Sequence, residues 1–286
     1  MVSGHRPQMR SRLGVCFAIA FAAGAVGLLV HRRDQVSVAL LPVWTQTLPD
    51  VPYGPYPANR LDISRPRWPS SLSRPGVVVF HGGRWTNGSR QEMVGHVCRL
   101  YLHQGFVVAN VEYRKGAIAP AVEDAIRALG WFCRNAPNYG VDPHRIVVTG
   151  ESSGAHLALM AAFQSGVEVA AVVNFYGITD LTAMADRPAI QAVLPPGDWK
   201  TSARRLSPLT YVRQGLPPVL SIHGTADAVV PPDQTARLAE ALRSTGGEAA
   251  EFYMPGAGHG FSSMQQVAAA YRVVFQFLAQ RGIILN

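Results

Sequence analysis

The chain has 286 residues, of which 48% are hydrophobic and 15% charged; this excludes a disordered protein and suits a body with one sizeable core. Its formal charge is +8, yet Arg6, Arg10, Arg12, Arg32 and Arg33 crowd into the first 34 residues against one acid, Asp34. The remaining basic residues are scattered, with no interleaved aromatics, which argues against a nucleic-acid partner. No fixed-period repeat is present, so a solenoid is excluded as well.

Leu13 to Val30 is an uninterrupted apolar run flanked by arginines on both sides. Its 18 residues are near the shortest length that spans a bilayer. A cleavable signal peptide is one reading, with Ala20-Phe21-Ala22 or Ala23-Gly24-Ala25 as the cleavage site. An uncleaved membrane anchor fits better, because the run continues past both sites; a buried soluble helix is the third reading. Residues 1–34 are therefore expected to be an anchor or signal segment, and residues 35–286 a catalytic domain, membrane-anchored or exported. Arginines at both ends leave the orientation open. Cys16 falls in this run, leaving Cys98 and Cys133 in the body.

Residues 35–75 are rich in proline and turn formers and read as an irregular approach, ending in a short strand or hairpin near Arg60-Leu61-Asp62-Ile63. From residue 76 the pattern is regular. Gly76–Phe80, Phe106–Val111, Arg145–Val148, Val169–Phe175, Pro218–Ile222 and Ala249–Tyr253 read as strands. Segments 89–103, 119–134, 153–165, 232–245 and 263–281 read as helices. Continuous apolar strands such as Val77-Val78-Val79-Phe80 suit a sheet covered on both faces. The alternation predicts an α/β fold with a mostly parallel, doubly wound sheet. In such sheets functional groups collect beyond the carboxyl ends of strands, so the loops after Phe80, Val148, Ile222 and Tyr253 are the ones to inspect.

Gly150-Glu151-Ser152-Ser153-Gly154 is a G-x-S-x-G between a strand and a helix. Such a turn thrusts the serine hydroxyl into the cleft, and flanking glycines remove Cβ atoms that would collide with strand and helix. His81-Gly82-Gly83-Arg84-Trp85 follows another strand; the amides of Gly82, Gly83 and Ser153 are candidate oxyanion donors. His81 reads as a structural histidine, Trp85 as a pocket wall and Arg84 as surface. Asp227 lies past the strand ending at Ile222, and His259 stands in the glycine frame Gly256-Ala257-Gly258-His259-Gly260. Read alone, Asp227 is equally well a helix-flanking aspartate. Serine, aspartate and histidine nevertheless occur in the chain order that a nucleophile, orienting acid and base take on such a sheet. A metal site built on His81, His223 and His259 lacks carboxylate or cysteine companions at ligand spacing, and no metal or cofactor is expected.

With these residues assembled, the chain resembles the α/β-hydrolase carboxylesterases of the hormone-sensitive-lipase-like and feruloyl-esterase-like (BD-FAE-like) groups, from about Tyr53 onward. Tyr53-Gly54 with Leu61-Asp62, Glu112-Tyr113-Arg114, Asn174-Phe175-Tyr176-Gly177 and Gly256 to Phe261 carry it beside the HGG and GESSG segments. Glu151 departs from the aspartate of many lipase-like relatives. The resemblance implies catalytic roles for Ser152, Asp227 and His259 and oxyanion roles for Gly82, Gly83 and Ser153; Trp85 and Tyr176 are expected to bind substrate. It also implies a sheet order that puts the helices of Cys98 and Cys133 on opposite faces, against a disulfide. Kynurenine formamidases are similar around His81 to Trp85.

These readings converge on a serine hydrolase that cleaves small carboxylic esters through an acyl-enzyme. An arylformamidase or other amidase on the same residues is the alternative, and a non-catalytic ligand-binding protein a third. The stretch between Tyr176 and Pro217, with Ile178, Leu181, Met184, Val193, Leu194 and Trp199, is expected to form a small lid rather than a cap domain.

Overall fold

A computed structural model of the chain describes Met1, residues 44–68, residue 70 and residues 72–284. The fold below belongs to the unit Leu41–Asn286. The apolar run Leu13–Val30 and Cys16 lie outside the described residues. Among the described residues no helix is long and apolar enough to cross a membrane.

Among the described residues eight strands and seven α-helices follow in chain order. They are β1 (Thr45–Pro52), β2 (Arg60–Pro66), β3 (Arg74–Phe80), α1 (Arg99–His103), β4 (Val107–Val111), α2 (Ile118–Asn135), β5 (Val141–Glu151), α3 (Ser153–Gln164), β6 (Ala171–Phe175), α4 (Pro188–Gln191), α5 (Trp199–Arg205), β7 (Val219–Gly224), α6 (Asp233–Ser244), β8 (Ala249–Met254) and α7 (Met264–Ala279). One sheet runs β1-β2-β4-β3-β5-β6-β7-β8. Pairings β1–β2 and β2–β4 are antiparallel, and every pairing from β4 to β8 is parallel. β4 and β6 are buried along their whole length, as mostly apolar strands of a sheet covered on both sides must be, and the one polar residue in each, Asn110 and Asn174, is buried and hydrogen-bonded.

α2, α3 and α6 cover one face. Leu157 and Ala158 of α3 join Ala125, Leu129 and Phe132 of α2 in the main core, while Leu159 and Phe163 of α3 meet Leu238 and Leu242 of α6 in a smaller one. α1 and α7 cover the other face, where Tyr101 meets Tyr271 and Phe275 edge-on. The order of the crossovers dictates this: β3 to β4 runs toward one edge and β4 to β5 back toward the other, so two right-handed connections must lie on opposite faces. Cys98, beside α1, and Cys133, in α2, are free thiols.

The structure corrects the sequence reading in two places. The approach before Arg60 holds a full strand, β1, at the sheet edge. Pro49 and Pro52 sit there because an edge strand has a side that forms no ladder, and the register slips between Leu48 and Val51 where Asp50 turns left-handed (φ 55°). The helix expected over 89–103 is broken into a 3₁₀ turn at Arg90–Glu92, a π-helical turn at Val94–Cys98, and α1. Arg90 accounts for part of the break: its side chain is buried, and its Nε donates to Asp62 Oδ2 at 3.0 Å, tying this segment down to β2.

Candidate active site

The elbow comes first. β5 delivers the chain to Ser152, whose backbone is held at φ 54°, ψ −119°, and α3 starts at the next residue. A non-glycine residue there costs about 1–3 kcal/mol and persists only where its surroundings force it. Two contacts do so. The Ser152 amide donates to the Phe175 carbonyl on β6 at 2.9 Å. A Cβ on Gly150 or Gly154 would strike the Gly154 backbone or the Phe80 carbonyl, so the turn can close only with glycine on both sides.

Ser152 Oγ lies 2.9 Å from His259 Nε2, and His259 Nδ1 lies 2.8 Å from Asp227 Oδ2. Because Nδ1 faces a carboxylate, it carries the ring proton, and Nε2 turns a lone pair toward the serine hydroxyl. Asp227 itself is locked. Its Oδ1 accepts the amides of Val229 and Val230, both at 2.9 Å, so the turn after β7 fixes the carboxylate before the histidine arrives. His223 is a neighbour that sequence reasoning weighed only as a metal ligand. Buried, its Nε2 lies 2.9 Å from the Val230 carbonyl and 3.3 Å from Asp227 Oδ2, and its Nδ1 lies 2.8 Å from Thr235 Oγ1. With oxygen acceptors around Nε2, the proton sits there and Thr235 donates to Nδ1. Burial lowers the pKa of this imidazole and keeps it neutral. Among the described residues no three metal-ligating side chains gather as an ion would require.

Facing the serine is the loop after β3. Gly83, Arg84 and Trp85 are successively left-handed, at φ 120°, 56° and 60°. The Gly83 carbonyl accepts the amides of Thr86 and Asn87 at 3.1 and 2.8 Å, and a Cβ on Gly83 would drive into the Asn87 carbonyl. A Cβ built on Gly82 would lie 3.8 Å from that of Ser152, which puts the Gly82 backbone beside the serine. Ser153 opens α3, where helix geometry leaves the first amides without an intrahelical acceptor.

Buried groups hold this loop from beneath. His81, fully buried, lies with Nε2 3.0 Å from Glu112 Oε1 and Nδ1 2.6 Å from the Gly82 carbonyl. Its ring stacks on Tyr113 at 4.2 Å, and Tyr113 Oη donates to the His81 carbonyl at 2.9 Å. Burial would raise the Glu112 pKa, but His81 and Lys115 hold it down to about 2. Trp85, 2% exposed, donates its Nε1–H to His156 Nδ1 at 3.2 Å, and His156 Nε2 donates to the Leu206 carbonyl at 2.7 Å. Burial pushes the His156 pKa down to about 4, so the neutral ring bridges the β3 loop to the segment before β7. The sequence carried one unused signal for it: His156 stands four residues, one helical turn, after Ser152.

A pocket of about 190 Å³ opens on Ser152 and Ser153, walled by Trp85, Ile178, Met184 and Ile190 with Arg84 and Arg187. The segment between β6 and β7 thus forms part of the pocket wall, built of short turns and helices. Leu181, Met184, Val193 and Leu194 anchor it in the main core, while Trp199 is exposed. Tyr176 stands beside His259 and does not line the Ser152 pocket. It is buried, left-handed at φ 40°, and packs its ring edge-on against His259 at 5.0 Å. It lines a separate hollow of about 290 Å³ with His96, Glu151 and Phe261. A larger hollow, about 480 Å³, lies around Arg65, Trp68 and Arg74 where β3 begins, at the sheet end opposite to Ser152.

Known proteins agree with this architecture. The profile of the BD-FAE family matches residues 61–242. The chain is 32% identical over 243 residues to esterase LipQ of Mycobacterium tuberculosis, covering 74% of this chain and 56% of LipQ. It spans little more than half the length of the curated relatives it matches. Among solved structures, the thermophilic esterase Est2 of Thermogutta terrifontis superposes with a TM-score of 0.70 at 26% identity, over 84% of this chain and 94% of that one. Est2 phosphorylated by paraoxon superposes at 0.69 with 25% identity, over 85% and 96%. The matched profile runs from β2 to α6 and takes in the elbow, the β3 loop and Asp227, and so the chain belongs to the BD-FAE family, on an α/β-hydrolase fold.

Proposed function

We propose that the protein is a serine hydrolase that cleaves small carboxylic esters through an acyl-enzyme. The observation that carries this reading is the hydrogen-bonded chain from Ser152 Oγ through the His259 imidazole to Asp227, 2.9 and 2.8 Å long. In the first half-reaction Ser152 Oγ attacks the ester carbonyl as its proton passes to His259 Nε2. Asp227 steadies the imidazolium. The developing oxyanion lies against the amides of Gly82, Gly83 and Ser153, each such donor being worth about 10²–10³ in rate. His259 then protonates the departing alkoxide, the carbon–oxygen bond breaks, and the acyl group stays on Ser152. A water molecule, deprotonated by the same imidazole, repeats the attack and frees the acid. The esterase names of LipQ and Est2, and the organophosphate adduct of Est2, support this reading.

The test is turnover of 4-nitrophenyl butyrate by the protein and by Ser152→Ala. Loss of at least about 10⁴-fold is expected on removing the hydroxyl; a folded variant that retains turnover overturns the reading. The formamidase alternative uses the same groups, and the HGG-x-W segment at His81–Trp85 is what speaks for it. A matched pair, a 4-nitrophenyl ester against an aryl formamide, separates the two by kcat/KM, with the ester expected to lead. We further propose that the Leu13–Val30 run anchors the chain to a membrane; recovery of the full chain in an alkali-washed membrane fraction is the expected outcome, and its release by alkali would refute it.

A further inference from the structure

The Ser152 pocket has an unusual charge. Its walls are apolar or hydroxyl-bearing apart from two arginines, Arg84 and Arg187, and no carboxylate lines it. Arg187 Nη1 donates to the Val229 carbonyl at 2.7 Å, which pins one edge of its guanidinium and, among the described residues, leaves the other donors of the fork unused. Arg84 is exposed and, among the described residues, takes part in no hydrogen bond or ion pair. Its backbone is nonetheless held in place, left-handed at φ 56° between Gly83 and buried Trp85. A residue with a Cβ costs free energy in that conformation, so an arginine is an expensive choice for a position whose only task is to face water.

The pocket also lies on one particular side of the nucleophile. It is reached from Ser152, Ser153 and the β3 loop, and neither His259 nor Gly260 lines it. The leaving alkoxide must lie beside His259 Nε2 to be protonated, and a pocket that His259 does not line is not the one that holds it. The pocket with the two arginines therefore receives the acyl part.

Building on the esterase reading, we propose that the protein selects mono-esters of dicarboxylic acids, with a short apolar acyl chain filling the Ser152 pocket and its terminal carboxylate paired with Arg84, aided by Arg187. A guanidinium and a carboxylate form two parallel charge-assisted hydrogen bonds, and an apolar wall leading to a cation at the rim matches a chain that is apolar in the middle and anionic at its end. The ester bond is cleaved as above; the pairing adds no chemical step and acts on acyl binding.

The experiment compares mono-4-nitrophenyl adipate with 4-nitrophenyl hexanoate, which share chain length and leaving group, using Ser152→Ala to subtract background. The ratio of their kcat/KM values is expected to fall about tenfold in Arg84→Ala, mainly through KM for the adipate. Arg84→Lys is expected to recover part of it, because lysine keeps the charge without the fork. About 0.5 M salt is expected to narrow the ratio in the parent protein. If the protein cleaves the hexanoate but the ratio is the same with and without Arg84, the proposal is overturned and the esterase reading stands. If the folded protein cleaves neither ester, the esterase reading itself fails.

Discussion

The two loops that flank Ser152 are built on opposite plans. The β3 loop, His81 to Arg90, is held from beneath by buried side chains: His81 on Glu112 and Tyr113, Trp85 on His156. Its Gly83 has no room for even a methyl group. The loop after β8, which carries His259, is open. A Cβ on Gly256 would meet nothing within 4 Å, and one on Gly260 only Tyr176 Oη at 3.9 Å. The difference follows from the proposed tasks. Amides that stabilise a developing oxyanion are useful only if already in place, since reorganising them during the reaction forfeits the gain. A base that exchanges protons with a hydroxyl, an alkoxide and a water must shift slightly between partners. One loop leaves no room at its glycine, while the other is tied to the β7 turn through Ala257, Thr225 and Asp227 yet leaves open space at Gly256 and Gly260.

The sharpest way to break this contrast is at the tether. Asp227→Asn keeps the shape but places an amide against His259 Nδ1, favouring the wrong tautomer; kcat on a 4-nitrophenyl ester is expected to fall about 10³–10⁴-fold with little change in melting temperature. The second test makes the same substitution in both loops. Gly83→Ala is expected to lower kcat about 10²–10³-fold and to destabilise the fold, whereas Gly256→Ala, left-handed at φ 68° but unobstructed, costs about 1 kcal/mol and leaves turnover within a few-fold. Equal effects at the two glycines would remove the distinction.

Two smaller effects concern the groups under the β3 loop. Glu112 has a folded pKa of about 2 against an ordinary 4.5. Its contribution is therefore fully present above about pH 4.5 and is lost as pH falls toward 2, because the unfolded chain takes up the proton first. Glu112→Gln is expected to lower the melting temperature at pH 7 and to flatten its decline over that window. His156 follows the same sign at higher pH. Depressed from 6.5 to about 4 by burial, it stays neutral in the fold while the unfolded chain binds a proton, so stability declines as pH falls from about 6.5 to 4. His156→Gln is expected to weaken that decline and, by loosening Trp85, to lower kcat/KM about two- to tenfold. Thermal melts across pH 3–8 check both.

Much of the fold was legible because its signals are local. The unbroken valines of β3, Val77 to Val79, announce a sheet buried on both sides, and the glycines around Ser152 announce a turn with no space for side chains. Glu112, His156 and His223 were harder to read, because each acts through partners distant in sequence: Trp85 lies 71 residues before His156, and Leu206 lies 50 after it. No window of sequence brings such groups together; only the crossovers do. β1 was hidden by its prolines, which are breakers in a central strand and tolerated at an edge. The break in the 89–103 helix depends on where buried Arg90 finds its acids, Asp62 among them. Tyr176, expected from the resemblance to bind substrate, packs against the His259 ring and does not line the Ser152 pocket, a placement that depends on a contact 83 residues away in sequence.

The central claim is that one hydroxyl, Ser152, is activated by the His259–Asp227 pair, and covalent labelling tests it most directly. Incubation of the full chain with a fluorophosphonate, followed by digestion and mass spectrometry, is expected to place a single adduct on the peptide containing Ser152. In His259→Ala the labelling rate is expected to drop about 10³-fold or more. A folded protein that takes up no label at Ser152, or takes it up at the same rate without His259, would contradict the account.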